Sequence, residues 1–406
     1  MSNIIKFDVI IIGAGASGLM CAIEAGKRGR KVLVIEHAKR VGQKIIMSGG
    51  GRCNFTNLYV EPSNFLCSNP HFVKSALSRY TQWDFIALVD KHQIAWHERD
   101  HGQLFCDDSA KQIVQMLLDE AKAAKVTIKT QCEVIEHQQI ADNHFAVQTS
   151  QGDFECQSLV VATGGLSLPK LGATPFAYQL AEKYNLPVKA TRAGLVPFTL
   201  QPVLKDKLVE LSGISFPATA TAIKKNASKK DSPMSFSEAL LFTHRGLSGP
   251  VILQISNYWQ TGDTILIDLL PNQDLDDLLA ETQQERPELA LKTLLSQHLP
   301  KRVIESFLGL ANIESRPLKQ FNEKELKQVV ELFHQWQPLI NGTEGYRTAE
   351  VTLGGIDTDV LSSKTMECKS VKGLYFIGEA MDVTGWLGGF NFAWCWSCGW
   401  AAGQEV

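Results

Sequence analysis

Residues 7–54, FDVIIIGAGASGLMCAIEAGKRGRKVLVIEHAKRVGQKIIMSGGGRCN, decide the fold. Phe7–Ile12 is a short, continuous apolar run, the pattern of a strand buried on both faces of a parallel sheet. It runs into Gly13-Ala14-Gly15-Ala16-Ser17-Gly18 and then into a helical stretch carrying Leu19, Met20, Ile23 and Ala25. In such a turn the first glycine permits the tight bend, the second lets backbone approach a pyrophosphate, and the third lets the helix pack on the strand. The N–H groups that open the helix then face the phosphates. Lys31–Glu36 reads as a second buried strand closing on an acid. Glu36 stands 23 residues after Gly13, close to the spacing of about 20 expected of a carboxylate on an adenosine ribose. Strand, glycine turn, helix, strand and acid in this order predict a dinucleotide site, with Gly13, Gly15, Ala16, Ser17 and Gly18 at the phosphates and Glu36 at the ribose.

The stretch ends in Ser48-Gly49-Gly50-Gly51-Arg52-Cys53-Asn54. Bare backbone of this kind suits a chain lying against a flat or anionic ligand. Lys44, Ser48, Gly50, Gly51, Arg52, Cys53 and Asn54 are therefore counted with the cofactor, Arg52 as a phosphate partner and Cys53 as a small packed residue rather than a nucleophile. Trp83–His92 reads as a helix, Glu98–Gln103 as a polar stretch, and Ser109 as the cap of a helix over 110–125. Val126–Glu136 reads as the third strand of the unit. Phe145–Gln148 and Phe154–Cys156 form an antiparallel excursion around Gln151-Gly152-Asp153. Ser158–Gly165 is another buried strand, and its small ending residues, Thr163 and Gly164 among them, suit close approach to a cofactor.

From Leu195 to Pro271 the pattern changes to short strands broken by Gly and Pro, which predicts an inserted β-barrel or sheet. Lys224, Lys225, Lys229 and Lys230 mark a solvated hairpin tip there. Asp274–Trp336 carries helical periodicity for about four helices. Past Tyr346 the β/α pattern resumes, with Ala349–Gly355, then Leu374–Ile377 ending in Gly378-Glu379, then Gly385-Trp386-Leu387-Gly388-Gly389 opening a last helix over 390–402. The fold class is α/β: a Rossmann-like domain in two segments, 1–193 and 344–406, holding an inserted barrel (194–272) and a helical subdomain (273–343).

A nicotinamide protein needs one such signature, whereas this chain has a second cofactor-like segment near its C-terminus. Large FAD-binding folds use that pair. The acid meets the ribityl–pyrophosphate region, and the helix N-terminus stabilises negative charge on the reduced isoalloxazine. The cofactor is therefore read as FAD, with Gly378, Glu379 and Asp382 in the linker region and Gly388, Gly389, Phe390 and Asn391 at the flavin end. Val134 occupies the place from which large flavoproteins meet the adenine through backbone.

SGGGRCN (48–54), ATGG (162–165), LLFTHRGLSGP (240–250), VTLGG (351–355) and GLYFIGEAMDVTGWLGGFNFAW (373–394) together resemble the bacterial BaiN/RdsA-type flavoproteins, also called YhiN-like or aminoacetone-oxidase-family FAD-binding proteins. The resemblance spans essentially the whole chain. It implies FAD, a Rossmann-like domain in two segments and an insert of barrel plus helices; reduction of conjugated enones in steroid-like bile acids is one activity attached to the family. Three segments depart from the family pattern. Gly102-Gln103-Leu104-Phe105-Cys106 stands for Gly-Arg-Val-Phe-Pro, and Gly172-Ala173-Thr174-Pro175-Phe176-Ala177-Tyr178 for Gly-Ser-Thr-Gly-Asp-Gly-Tyr. Cys395-Trp396-Ser397-Cys398 stands where Ala and Ser are usual. Spaced i, i+3, the two thiols could form a redox dithiol, but two small residues packing a helix on the sheet is the favoured reading.

The 406 residues are 44% hydrophobic and 20% charged, as in a soluble globular protein. The nine scattered cysteines suggest free thiols in a reducing compartment, the cytoplasm. No apolar run approaches a membrane span, and no metal-ligand set is read. The net charge of −3 gives no global attraction to nucleic acid, so the expected partner is a small organic molecule, without nucleic acid or membrane. The expected function is FAD-dependent hydride transfer to such a substrate, enone or steroid-like, with NAD(P)H as a transient reductant. His244 and Arg245 are the candidates for a substrate-side acid and an anion or carbonyl contact. The alternatives are an amine-type oxidase using O₂, or a flavin redox sensor or RNA-associated flavoprotein.

Overall fold

The computed structural model describes residues 4–226 and 232–406. The chain divides into two compact units, Met1–Ala193 with Glu350–Val406, and Gly194–Ala349.

The first unit is built on a five-stranded parallel sheet in the order Leu374–Phe376, Ser158–Val161, Val9–Ile12, Val32–Ile35, Thr127–Lys129. The strands from Val9, Val32 and Ser158 are buried along their whole length, as continuous apolar or small runs require when helices cover both faces. The order places the first strand centrally, with later strands added on either side, the doubly wound arrangement. The first helix, Ala16–Lys27, packs on the last, Phe390–Gly403. Glycines allow the approach: a Cβ at Gly399 would stand 2.5 Å from Ser17 O. Trp396 fixes the other face of the last helix, stacking on Phe85 with centroids 4.2 Å apart and donating its indole N–H to Phe55 O at 2.8 Å.

Two elements differ from the sequence reading. Val126–Glu136 is not one strand. Thr127–Lys129 joins the parallel sheet, Gln131 takes φ 55°, and Val134–Ala141 starts a strand in a separate four-stranded sheet with His144–Thr149, Gly152–Cys156 and Ile5–Lys6. The polar stretch near Glu98 contains paired strands, Trp96–Arg99 and Gln103–Cys106, which with Asn54–Asn57 form a three-stranded antiparallel sheet.

In the second unit the insert expected as a barrel is a six-stranded antiparallel sheet. Its order is Thr264–Asp268, Ser215–Ile223, Met234–Phe242, Gly246–Ser248, Phe198–Leu200, Ile340–Thr343, with no ladder joining its two outer strands among the described residues. The last of these strands follows the helical stretch, so residues 340–343 belong to the sheet rather than to the helices. The helices between strand Thr264–Asp268 and strand Ile340–Thr343 are Leu275–Glu285, Leu291–Leu295, Lys301–Leu310 and Glu323–His334. Asn322 and Glu325 cap the last of them reciprocally. One core serves sheet and helices: Trp336 packs against both Phe242 and Phe307, with centroids 6.1 and 4.9 Å away. Lys224 and Lys225 are exposed beside the Ser215–Ile223 strand, and Lys229 and Lys230 lie outside the described residues.

Candidate functional site

The register of the parallel sheet assembles the site. Ile12 pairs with Ile35 and Val161, Val161 with Phe376, and Ile35 with Lys129. Gly13, Glu36, Ala162–Gly164 and Gly378–Glu379 therefore leave the sheet along one edge, the carboxyl edge where α/β sheets bind ligands. The three glycines of the turn divide their roles. At Gly13, with φ +108°, a Cβ would stand 2.4 Å from Ala162 O, and at Gly18 one would stand 2.0 Å from Gly13 O. Both positions are closed by packing. At Gly15 a Cβ would meet nothing within 4 Å. Gly15 also caps the Ala16–Lys27 helix without any side-chain hydrogen bond to its first turn, which leaves the N–H groups of that end for an anion.

Along this edge runs a cavity of about 390 Å³ lined by Gly13–Ser17, Glu36, His37, Lys44, Val134, Thr163, Gly164, Glu379 and Cys395, among others. Glu36 is also a fastener: its Oε2 accepts from Ala14 N at 2.9 Å and its Oε1 from Ala38 N at 2.8 Å. A carboxylate has about four lone-pair sites, so ribose hydroxyls can still be met. Lys44 Nζ donates to Ser167 Oγ at 2.7 Å and pairs with Glu379 Oε2. Glu379 Oε1 accepts from Ser167 Oγ at 2.9 Å and from Thr352 N at 2.8 Å. Thr352 Oγ1 in turn accepts from Leu166 N at 2.8 Å and Ser167 N at 3.1 Å. Ser167 and Thr352 are the residues sequence reasoning missed. Both stand in or beside motifs, ATGG and VTLGG, whose glycines drew the attention.

The donor set fits FAD. The lining combines an acid, Glu36, and Val134 with an uncapped helix N-terminus, a glycine with open space beside it and the Lys44–Glu379 pair. Thr163 Oγ1 is buried in this wall with no hydrogen-bond partner among the described residues, as a group awaiting a ligand would be.

The other candidates form a second group. Ser48–Gly51 is a tight turn with Gly49 and Gly50 left-handed; it follows the Gln43–Met47 helix that carries Lys44. A Cβ at Gly389, the N-cap of the last helix, would stand 2.3 Å from Thr56 O and 2.8 Å from Asn54 Oδ1. Asn391 closes the Gly385–Leu387 turn, its Oδ1 accepting from Gly385 N at 2.8 Å and its Nδ2 donating to Gly385 O at 2.9 Å. Gly388, Gly389, Phe390, Asn391, Ser48, Gly50, Gly51, Arg52, Cys53 and Asn54 do not line the cavity. Arg52 is exposed. Cys53 is fully buried, and that burial pushes its thiol up to about 12 despite a hydrogen bond with Ser48, so it is a packed, protonated residue. Asp382 Oδ2 accepts from Ser68 N at 3.0 Å, and Asp382 does not line the cavity.

His244 and Arg245 lie in the second unit, on the turn between Met234–Phe242 and Gly246–Ser248. His244 is exposed, and Arg245 Nη1 lies 3.4 Å from Glu344 Oε2. Neither lines the cavity. The nine cysteines are all free. Cys398 Sγ accepts from Gly378 N at 3.2 Å, and burial raises both thiols of the pair, Cys395 to about 12. Among the described residues no group of three or more His, Cys, Asp or Glu could hold a metal, and no helix is long and apolar enough to cross a membrane.

A family profile described as "HI0933-like protein Rossmann domain" matches residues 7–405. A ribosomal RNA dihydrouridine synthase of Escherichia coli (strain K12) is 54% identical over 401 residues, covering 99% of this chain and 98% of that protein. A protein of the same name from Haemophilus influenzae is 50% identical over 400 residues, covering 98% of each chain. A 3-dehydro-bile acid delta(4,6)-reductase of Clostridium scindens is 26% identical over 410 residues, again covering 98% of each. Among solved structures, a quinol–fumarate reductase with menaquinol molecules matches with a TM-score of 0.51 at 14% identity, over 99% of this chain and 71% of that one; this shows a shared fold alone. The relatives overturn one expectation, that of a small-molecule partner without nucleic acid, because the full-length matches at 54% and 50% identity are named for ribosomal RNA. Net charge misled there because it is a sum over the whole surface, whereas RNA bases are recognised locally by stacking and hydrogen bonds. The chain is an FAD-dependent oxidoreductase and belongs to the HI0933-like family.

Proposed function

We propose that this enzyme reduces a uridine of ribosomal RNA to dihydrouridine. The observation that carries the reading is the 54% identity, end to end, with a ribosomal RNA dihydrouridine synthase. The chemistry joins the relatives' names. In uracil the C5=C6 bond is conjugated with the C4 carbonyl, as an enone is, so reduction places a hydride on C6 and a proton on C5. The two electrons come from a reduced nicotinamide, NADH or NADPH, visiting transiently. When bound, FAD would supply the hydride-relay chemistry between the nicotinamide and the uracil.

The chain's own residues bind and orient. Backbone N–H groups at Gly15–Ser17 would hold the pyrophosphate, Glu36 and the Val134 backbone the adenosine, and Lys44, Thr163, Gly164 and Glu379 the ribityl–pyrophosphate linker. The N-terminus of the last helix, at Gly388–Asn391, and the Ser48–Asn54 turn would hold the flavin end. In the second unit Glu344 neutralises only one of its two arginine neighbours, Arg245 and Arg347, so the surplus charge can meet RNA phosphate. Work on ribosomal RNA and nine free thiols both suit the cytoplasm.

The test uses purified holoenzyme reduced anaerobically with NADPH or NADH and then mixed with ribosomal RNA from a strain lacking the gene. Reoxidation of the flavin, with a uridine gaining two hydrogens by mass spectrometry of digested nucleosides, is expected. A flavin that stays reduced, with no modified nucleoside formed, would overturn the reading.

A further inference from the structure

The segment that departs most usefully from the family pattern, Gly102–Cys106, lies against the glycine turn that opens the last helix. Asn57, paired in register with Gln103, donates its Nδ2 to Gly388 O at 2.8 Å and to His101 O at 3.0 Å. The Gln103 side chain then lies directly on Gly388. A Cβ there would stand 3.1 Å from Gln103 Cγ and 3.3 Å from its Nε2.

One half of the Gln103 carboxamide is occupied, facing the Asn54 amide at 3.0 Å. The Asn54 amide is satisfied in one orientation: its nitrogen donates to Thr56 O at 3.1 Å and Leu104 O at 3.2 Å, and its oxygen accepts from Gly389 N at 3.2 Å. That oxygen requires the amide nitrogen of Gln103 as its second donor, which leaves Gln103 Oε1 on the other side. Gln103 Oε1 has no hydrogen-bond partner among the described residues, and the side chain is only partly buried. A free amide oxygen can accept from the N3–H at the centre of uracil's carbonyl, N–H, carbonyl edge, a donor absent from N3 of cytosine.

Beside it stands an aromatic shelf. Tyr59 is 65% exposed, yet it is held from behind. Its N–H donates to Asn57 Oδ1 at 2.9 Å, and its ring lies on left-handed Gly102, where a Cβ would stand 2.6 Å from a ring carbon. A fixed ring with an exposed face is what single-stranded RNA uses for stacking. Gln103 and Asn57 border Gly388, and Gly102 and Tyr59 continue the rim from them.

We infer that Gln103 reads the imide edge of the target uracil and that Tyr59 stacks a flanking base of the same single-stranded segment, a reading that rests on the uridine-reducing function above. The test compares holoenzyme with Gln103→Ala, Gln103→Glu, Tyr59→Ala and Tyr59→Phe. It measures binding of short oligouridylate and oligocytidylate by fluorescence anisotropy, and kcat/KM on ribosomal RNA from the gene-deleted strain. Gln103→Ala should erase a preference for oligouridylate of about tenfold, the contribution of one good hydrogen bond. Gln103→Glu loses the amide N–H held by the Asn54 oxygen, which frees the side chain, and should reduce that preference even if the alanine variant folds poorly. Tyr59→Ala should weaken both oligonucleotides about tenfold or more, and Tyr59→Phe should bind as the parent does. Unchanged base preference in both Gln103 variants, or unchanged affinity in Tyr59→Ala, while the parent enzyme still modifies RNA, overturns the rim assignment alone. If the parent's reduced flavin is not reoxidised by RNA, the function falls and the rim assignment falls with it.

Discussion

The three glycines of the first turn make a sharp internal comparison, because the structure assigns two of them to packing and leaves one to the ligand. Replacing Gly18 by alanine puts a methyl 2.0 Å from Gly13 O, and overpacking of this kind costs about 1–3 kcal/mol. Replacing Gly13 adds the strain of φ +108° to a methyl 2.4 Å from Ala162 O, with about 1–2 kcal/mol more for the left-handed backbone. Gly15 has φ −86° and ψ −168°, which alanine adopts freely, and an added Cβ has nothing within 4 Å. Gly15→Ala should therefore leave the flavin-free protein as stable as the parent, or more stable by about 0.4–1 kcal/mol through the unfolded chain. With FAD the order reverses. A methyl between helix N-terminus and pyrophosphate lengthens hydrogen bonds to a charged group worth about 1.5–3 kcal/mol, a loss of affinity of about 10- to 150-fold. Urea unfolding of the flavin-free variants by circular dichroism gives the first quantity, and quenching of FAD fluorescence gives the second. Gly15→Ala that binds FAD as tightly as the parent, or unfolds as early as Gly18→Ala, would refute the division of roles.

Glu120 is buried, and burial alone would raise its carboxyl; hydrogen bonds from Lys91 and His92 and the charge of Lys27 bring it down to about 2 instead. Because the folded value lies below the ordinary 4.5, its stabilisation is complete above that pH and disappears as pH falls towards about 2; Glu120→Gln should cost about 2–3 kcal/mol at neutral pH and flatten the acid limb of urea unfolding, whereas equal losses at pH 7 and pH 2.5 would contradict this. Ser167→Ala removes the hydroxyl shared by Lys44 and Glu379 and should weaken FAD binding about tenfold in a fluorescence titration; unchanged affinity would show that the pair holds its position unaided. Cys395 lines the cavity with its thiol pushed up to about 12 by burial, so reduction of the enzyme should produce no long-wavelength thiolate–flavin band, and the appearance of one would restore the redox dithiol.

What was legible in the sequence was what is local. A buried strand, a glycine turn and a helix lie within twenty residues of one another, so their pattern survives without knowledge of the rest of the chain. The second cofactor segment was readable for the same reason. Val126–Glu136 was misread because alternation reports a strand but not its partner, and the chain changes sheets at Gln131 without changing its apolar rhythm. Glu98–Gln103 was read as a polar stretch, and the strands Trp96–Arg99 and Gln103–Cys106 at its ends were missed, because one face of that small sheet carries His97, Arg99 and other polar side chains, and propensity is weak on solvated strands.

Ser167 and Thr352 were invisible for a stronger reason. Ser167 reaches Glu379 across 212 residues and Lys44 across 123, and a serine carries no signal of its own until the fold brings those partners to it. The same distinction separates cofactor from substrate. Gly13, Glu36, Thr163 and Glu379, proposed to touch FAD, follow strand ends of one sheet, where the motif and the geometry coincide. The residues that would choose a uracil, Gln103 and Tyr59, sit on short polar strands and a turn, held there by Asn57 reaching 331 residues to Gly388. A scaffold organised in this way can keep its hydride chemistry on conjugated carbonyl compounds while exchanging a steroid for a nucleobase, because the reader lies outside the segments that fix the cofactor. Global charge, which registers neither of them, carries no information on the proposed RNA substrate.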